Sequence, residues 1–90
     1  MDLLSLRKQI DEVDEKLMPL LIERMELSKA VAQYKKENSL PILNTQREQE
    51  ILEQVRSTCP DEYKDAVCAV FSAIMDASKD VQKHIIDNKN

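Results

Sequence analysis

Several polar side chains in this sequence stand where the surrounding pattern asks for apolar ones. Leu3, Leu6, Ile10, Val13, Leu17 and Leu20, then Leu27, Val31 and Tyr34, recur at spacings of three and four. That pattern is the seam of a long helix packed on another helix. Arg24 fills the slot between Leu20 and Leu27. A charge in such a seam is costly unless a partner or a ligand meets it. Ser28, Val31 and Lys35 follow Arg24 by four, seven and eleven residues, which keeps them on its face. Ser78 and Gln82 lie one turn apart, inside a second apolar stripe between Ile74 and Ile85. Arg47 and Glu48 adjoin at the start of a further helical segment.

Each of these residues also fits a plainer role. Arg24 is equally suited to a glutamate across the bundle or to setting the register of a dimer. Lys35 near a helix C-terminus complements the helix dipole. Glu48 suits a capping box, and Arg47 a solvated charge. Ser78 and Gln82 suit interhelical hydrogen bonds. Together they suggest more. The chain carries a net charge of −4, yet turns cations toward its helix interfaces. A desolvated cationic pocket in an acidic protein suits a small anion, most simply a dicarboxylate. No Ser-His-Asp set, metal-ligand cluster or phosphate loop accompanies the pocket. The chemistry expected is charge and positioning, with no nucleophile, metal or cofactor.

The elements that must position these groups are helices. The 90 residues hold no Gly and no Trp, and aromatics are 3%. Hairpin chemistry is therefore missing, while good helix formers dominate. An all-α single domain over residues 1–90 is expected, with three helices. Helix 1 runs from about Leu3 to Glu37 and is roughly 50 Å long at ~1.5 Å per residue. Pro19 lies inside it and is expected to kink it. A loop follows Asn38-Ser39-Leu40-Pro41. Helix 2 is short and starts at Asn44 or Thr45, with Thr45 and Glu48 matching a capping box. It stops before Cys59-Pro60. Helix 3 starts near Asp61, with the stripe Val67, Val70, Phe71, Ile74, Met75, Val81 and Ile85. A seam as long as helix 1 exceeds what so short a chain can cover, so a second copy is expected on it. Arg7 precedes Arg24 by 17 residues, roughly 25 Å along one helix, too far to share a small ligand. Two long helices packed antiparallel would bring Arg7 of one chain to the Arg24–Lys35 region of the other.

The acidic balance argues against nucleic acid as a partner. The N-terminus lacks the features of a signal peptide, and no apolar run approaches a membrane span. A cytoplasmic protein with Cys59 and Cys68 as free thiols is expected.

In this order, the residues resemble the all-helical (AroQ-class) chorismate mutases. The matching pieces are Leu6-Arg7-x-x-Ile10-Asp11-x-x-Asp14 and Leu20-Leu21-x-x-Arg24. Val31-x-x-x-Lys35, Pro41-Ile42, Arg47-Glu48 and Ile74-Met75-x-x-Ser78-x-x-x-Gln82 follow. They extend over nearly the whole chain. The resemblance implies an intertwined antiparallel homodimer of three-helix chains with two composite sites for the chorismate dianion. It implies that Arg24, with Arg7 of the other chain, holds the two substrate carboxylates. Lys35 would contact a carboxylate and the ether oxygen, and Gln82 would donate to that oxygen from the opposite side. Glu48 would accept from the ring hydroxyl. Ser78 and Arg47 would complete the polar shell, with Val31 and Met75 as apolar walls. Asn44 stands where the family usually has Asp, and a main-chain contact or helix cap is what survives that change.

The activity implied is a [3,3] rearrangement of chorismate to prephenate, a step of aromatic amino acid biosynthesis. An isochorismate-pyruvate lyase on the same fold is the rival enzyme. A helical dimerisation module without catalysis is the rival of another class. The 90 residues carry no fused dehydratase, dehydrogenase or synthase segment, so a stand-alone domain is expected.

Overall fold

A computed structural model describes residues 2–87. The described chain holds three helices and no strand: α1 Leu3–Glu37, α2 Thr45–Thr58 and α3 Lys64–Asp87. A single 3₁₀ turn, Asp61–Tyr63, leads into α3. None of the helices is long and apolar enough to cross a membrane among the described residues.

Asp2 caps α1 by accepting a hydrogen bond from the Ser5 amide at 2.8 Å. The helix then runs through Pro19 without a break. The longest dimension of the chain, 54 Å, is what 35 continuous helical residues at ~1.5 Å each require. Proline removes one main-chain donor there, and the remaining turns carry the helix past it.

At its C-terminus α1 closes in a left-handed turn. Ser39 adopts φ 53°, and the Leu40 amide returns to the Lys35 carbonyl at 2.8 Å. Glycine usually fills this position, but the sequence has none, and serine takes it. Helix α2 opens on Asn44, whose side chain accepts from the Arg47 amide at 3.0 Å. The Thr45–Glu48 capping box does not form. With Asn44 as the cap, Glu48 falls one residue beyond the position that can reach back to it, and its carboxylate goes elsewhere.

Helix α3 is the centre of the fold and packs against both α1 and α2. Met75, Ser78 and Gln82 are its buried residues, and Val67, Phe71, Ile74, Val81 and Ile85 are half-buried. Val70, expected in the same stripe, is exposed. It lies roughly 110° around the helix from the mean direction of the three buried residues, at the rim of the packed face.

Only the C-terminal half of α1 meets α3. Its first 18 residues are exposed throughout, Leu3 to Leu20 included. Ile10 is 58%, Val13 61% and Leu20 61% accessible. The chain exposes 7341 Å², where a compact monomer of its mass would expose about 5,400 Å². Its radius of gyration is 16.3 Å, against about 12 Å for a compact chain of this length.

Candidate active site

The three helices enclose one side of a cleft of about 430 Å³. Helix α1 contributes Arg24, Ser28, Val31 and Lys35 to its wall. The loop and first turn of α2 contribute Ile42, Asn44, Arg47 and Glu48. Helix α3 contributes Met75, Ser78, Lys79 and Gln82. Nine of the ten residues singled out from the sequence therefore meet in one place. Arg7 does not. It lies on the exposed N-terminal arm of α1, about 25 Å from Arg24 along the helix.

Helical geometry sets the wall of α1. Residues 24, 28, 31 and 35 share a face because their spacings follow whole turns. The same rule stacks Met75, Ser78 and Gln82 opposite them. Where the two faces touch, Ser28 and Ser78 hydrogen-bond through their hydroxyls, and Ser28 Oγ also donates to the Arg24 carbonyl at 3.0 Å. Two small polar residues let the helices approach closely without stranding a buried donor.

Lys35 is the best-anchored cation. Its Nζ donates to the Ile42 carbonyl at 2.7 Å and to Gln82 Oε1 at 2.9 Å. The first bond ties α1 to the loop, and the second ties it to α3. An ammonium accepts nothing, so it forces the Gln82 amide to present its oxygen. The Gln82 Nε2 then faces Ser78 Oγ at 3.5 Å. Burial pushes the Lys35 pKa below the ordinary lysine value, because desolvation disfavours the charged form. Lys35 does stand in the last turn of α1, where a cation complements the helix dipole, but it is half-buried and faces the cleft.

Among the described residues, no carboxylate lies within ion-pair distance of Arg24 or Lys35. Arg47 pairs with Glu50 at 3.6 Å, an exposed contact along α2. Glu48 pairs with Lys79 across the α2–α3 interface at 2.9 Å. Lys79 is a site residue that the sequence reading missed. Asp76, Lys79, Asp80 and Lys83 alternate in sign along α3, which is the mark of a solvated helical face. The hydrogen bond from Lys79 to Glu48 is the main cause that raises the Lys79 pKa.

The cleft wall thus carries four cations, Arg24, Lys35, Arg47 and Lys79, and one carboxylate, Glu48. This is a net +3 on a chain of net charge −4. Apolar contacts come from Leu27, Val31, Ile42, Ile51 and Met75. No group of three or more potential metal ligands occurs among the described residues. The arrangement can hold a small dianion against apolar walls and offer amide and ammonium donors to a third polar atom.

A family model described as Chorismate mutase type II matches residues 6–83. A chorismate mutase of Methanocaldococcus jannaschii is 33% identical, over 98% of this chain and 94% of that protein. The bifunctional chorismate mutase/prephenate dehydratases of Aquifex aeolicus and Escherichia coli are each 33% identical over 93% of this chain. The chain spans only 25% and 22% of their respective lengths. A solved structure, a conserved hypothetical protein from Pyrococcus furiosus, superposes with a TM-score of 0.72 at 38% identity. That match covers 89% of this chain and 93% of the other.

Proposed function

This chain belongs to the type II chorismate mutase family, and from that premise we propose that it rearranges chorismate to prephenate in the cleft of cations just described. The observation that carries the reading is the state of Arg24 and Lys35. Both are partly buried cations in one cleft, with no carboxylate to neutralise them among the described residues. A dianionic substrate supplies what they lack.

The reaction is intramolecular. One C–O bond breaks as one C–C bond forms, and nothing is transferred to the protein. Arg24 and Lys35 hold carboxylates and keep the substrate in its compact, reactive shape. Negative charge grows on the ether oxygen as the C–O bond lengthens. Lys35 has three donors and spends two, on Ile42 and Gln82, which leaves one to be shared between a carboxylate and that oxygen. Gln82 Nε2 has two hydrogens, one directed at Ser78, and the second serves the same oxygen from the other side. Donors fixed in advance stabilise the developing charge more than the ground state. Glu48 accepts from the ring hydroxyl. Arg47, Ser78, Asn44, Val31 and Met75 complete the enclosure.

The working form is a homodimer. Each chain exposes about 1,900 Å² more than a compact monomer would, and the surplus includes the apolar seam of Leu3 to Leu20. Two chains burying that much would match an obligate dimer interface. Antiparallel α1 helices would place Arg7 of one chain at the open side of the other's cleft, where it meets the second carboxylate.

Purified protein should convert chorismate to prephenate, identified by NMR, and release no pyruvate from isochorismate. Absence of turnover in a folded, dimeric preparation defeats the reading. The pH profile is a second check. Lys35 must be protonated to hold an anion, and its pKa is depressed in the free protein. kcat/KM reports the free enzyme, so it should be flat through neutrality and fall at a pH below the ordinary lysine value of about 10.4. A bound dianion favours the ammonium, so the alkaline limb of kcat should lie at higher pH. An activity lost between mildly acidic and neutral pH would contradict this assignment.

A further inference from the structure

Lys79 holds the cleft's carboxylate, Glu48, by a bond between two helices. The pairs Lys29–Glu26, Arg47–Glu50 and Lys64–Asp61 each join residues three apart on one stretch of chain. Lys79–Glu48 instead joins α3 to the start of α2, at 2.9 Å, with side chains only 31% and 28% exposed. Asp76 flanks the same ammonium at 3.4 Å from its solvent side.

The other cations of the cleft are placed differently. Arg47 turns to Glu50. Lys35 is tied to Ile42 and Gln82. Arg24 has no acidic partner among the described residues. A carboxylate released into this cleft would find Arg24 and Lys35, the two cations that a dianion needs. It would compete with the substrate for them. An ion pair on the far wall prevents this. It takes Glu48 Oε2 and leaves Oε1 without a partner among the described residues.

We propose that Lys79 is a positioning residue for the rearrangement: it holds Glu48 off Arg24 and Lys35 and presents the free oxygen to the substrate hydroxyl. The inference rests on the mutase reading and on the role given there to Glu48. Lys79 acts through Glu48 and does not itself touch the substrate. The bond to Glu48 raises the Lys79 pKa, so the pairing favours the ammonium form. The charged groups that line the cleft with Glu48 are Arg24 and Lys35 from α1, Arg47 from α2 and Lys79 from α3, with Asp76 beside Lys79.

The test is a double-mutant cycle on the full chain, with chorismate as substrate. Glu48→Gln should lower kcat/KM by roughly tenfold or more, the scale of a hydrogen bond to a charged group. Lys79→Met should lower it by about tenfold, chiefly by raising KM, and Lys79→Arg should recover most of that loss. Adding Lys79→Met to Glu48→Gln should change kcat/KM by less than about twofold, because the residue it positions is gone. Melting curves of the variants establish that each folds. Normal kcat/KM in folded Lys79→Met, or a loss that adds in full to that of Glu48→Gln, overturns the role of Lys79 alone. Normal kcat/KM in Glu48→Gln overturns the hydroxyl contact and this inference with it. No turnover in the unsubstituted protein overturns the mutase reading itself.

Discussion

Lys35→Ala is expected to lower kcat/KM for chorismate by at least about a hundredfold, the scale of losing one preorganised donor to a developing oxyanion. The loss should exceed that of a lone surface charge for two reasons. Lys35 would supply a donor directly, and it also sets the amide orientation of Gln82 through a 2.9 Å hydrogen bond. Without the ammonium, Gln82 is free to turn its oxygen toward the ether oxygen, where it repels. Gln82→Ala should cost a similar factor. The double variant should cost much less than the product of the two, because residues in one network do not act independently. Steady-state kinetics on variants with unchanged helical circular dichroism is the measurement. Near-normal turnover in both single variants would remove Lys35 and Gln82 from the chemistry.

Two inactive variants, mixed, are expected to regain activity. On the two-chain reading, Arg7→Ala and Arg24→Ala each damage both clefts, since each cleft would draw Arg24 from one chain and Arg7 from the other. In a mixed dimer one cleft has both arginines and the other has neither. If chains exchange freely, half the dimers are mixed and one of their two clefts is intact. Activity should return to about a quarter of the unsubstituted level. Assay after unfolding and joint refolding, against each variant refolded alone, provides the test. No recovery, with exchange demonstrated by a mass-tagged chain, would mean that Arg7 and Arg24 do not serve a common site.

Much of this geometry can be read in the residues. The heptad spacing of α1 pointed to a seam longer than the chain could cover, and the run from Leu3 to Leu20 is indeed left exposed in the single chain. Arg24, Lys35, Ser78 and Gln82 stood out because each replaced an apolar residue within a periodic stripe. All four line one cleft. What the pattern could not carry were contacts made across elements. The Ile42 carbonyl that takes Lys35 is a main-chain atom of a loop, invisible to any reading of side-chain types. Lys79 was concealed by ordinary company, since charges of both signs flank it on a face that looks solvated. The choice of Asn44 over Thr45 as the α2 cap is a one-residue matter of φ and ψ, for which both side chains are chemically fit. Pro19 was expected to bend α1 without ending it, and the helix does continue through it unbroken, since one lost hydrogen bond is small beside those of the turns on either side.

The chain is thin, only 13 Å across in its smallest dimension. Among the described residues, Ala32, Val55 and Met75 are the buried apolar ones, and no large side chain is wholly enclosed. Such an interior is too slight to offset the entropy of ordering 90 residues. On the two-chain reading, separating the partners and melting the helices are one event. Dilution then acts as a denaturant, and a free energy of unfolding has meaning only at a stated concentration of chains.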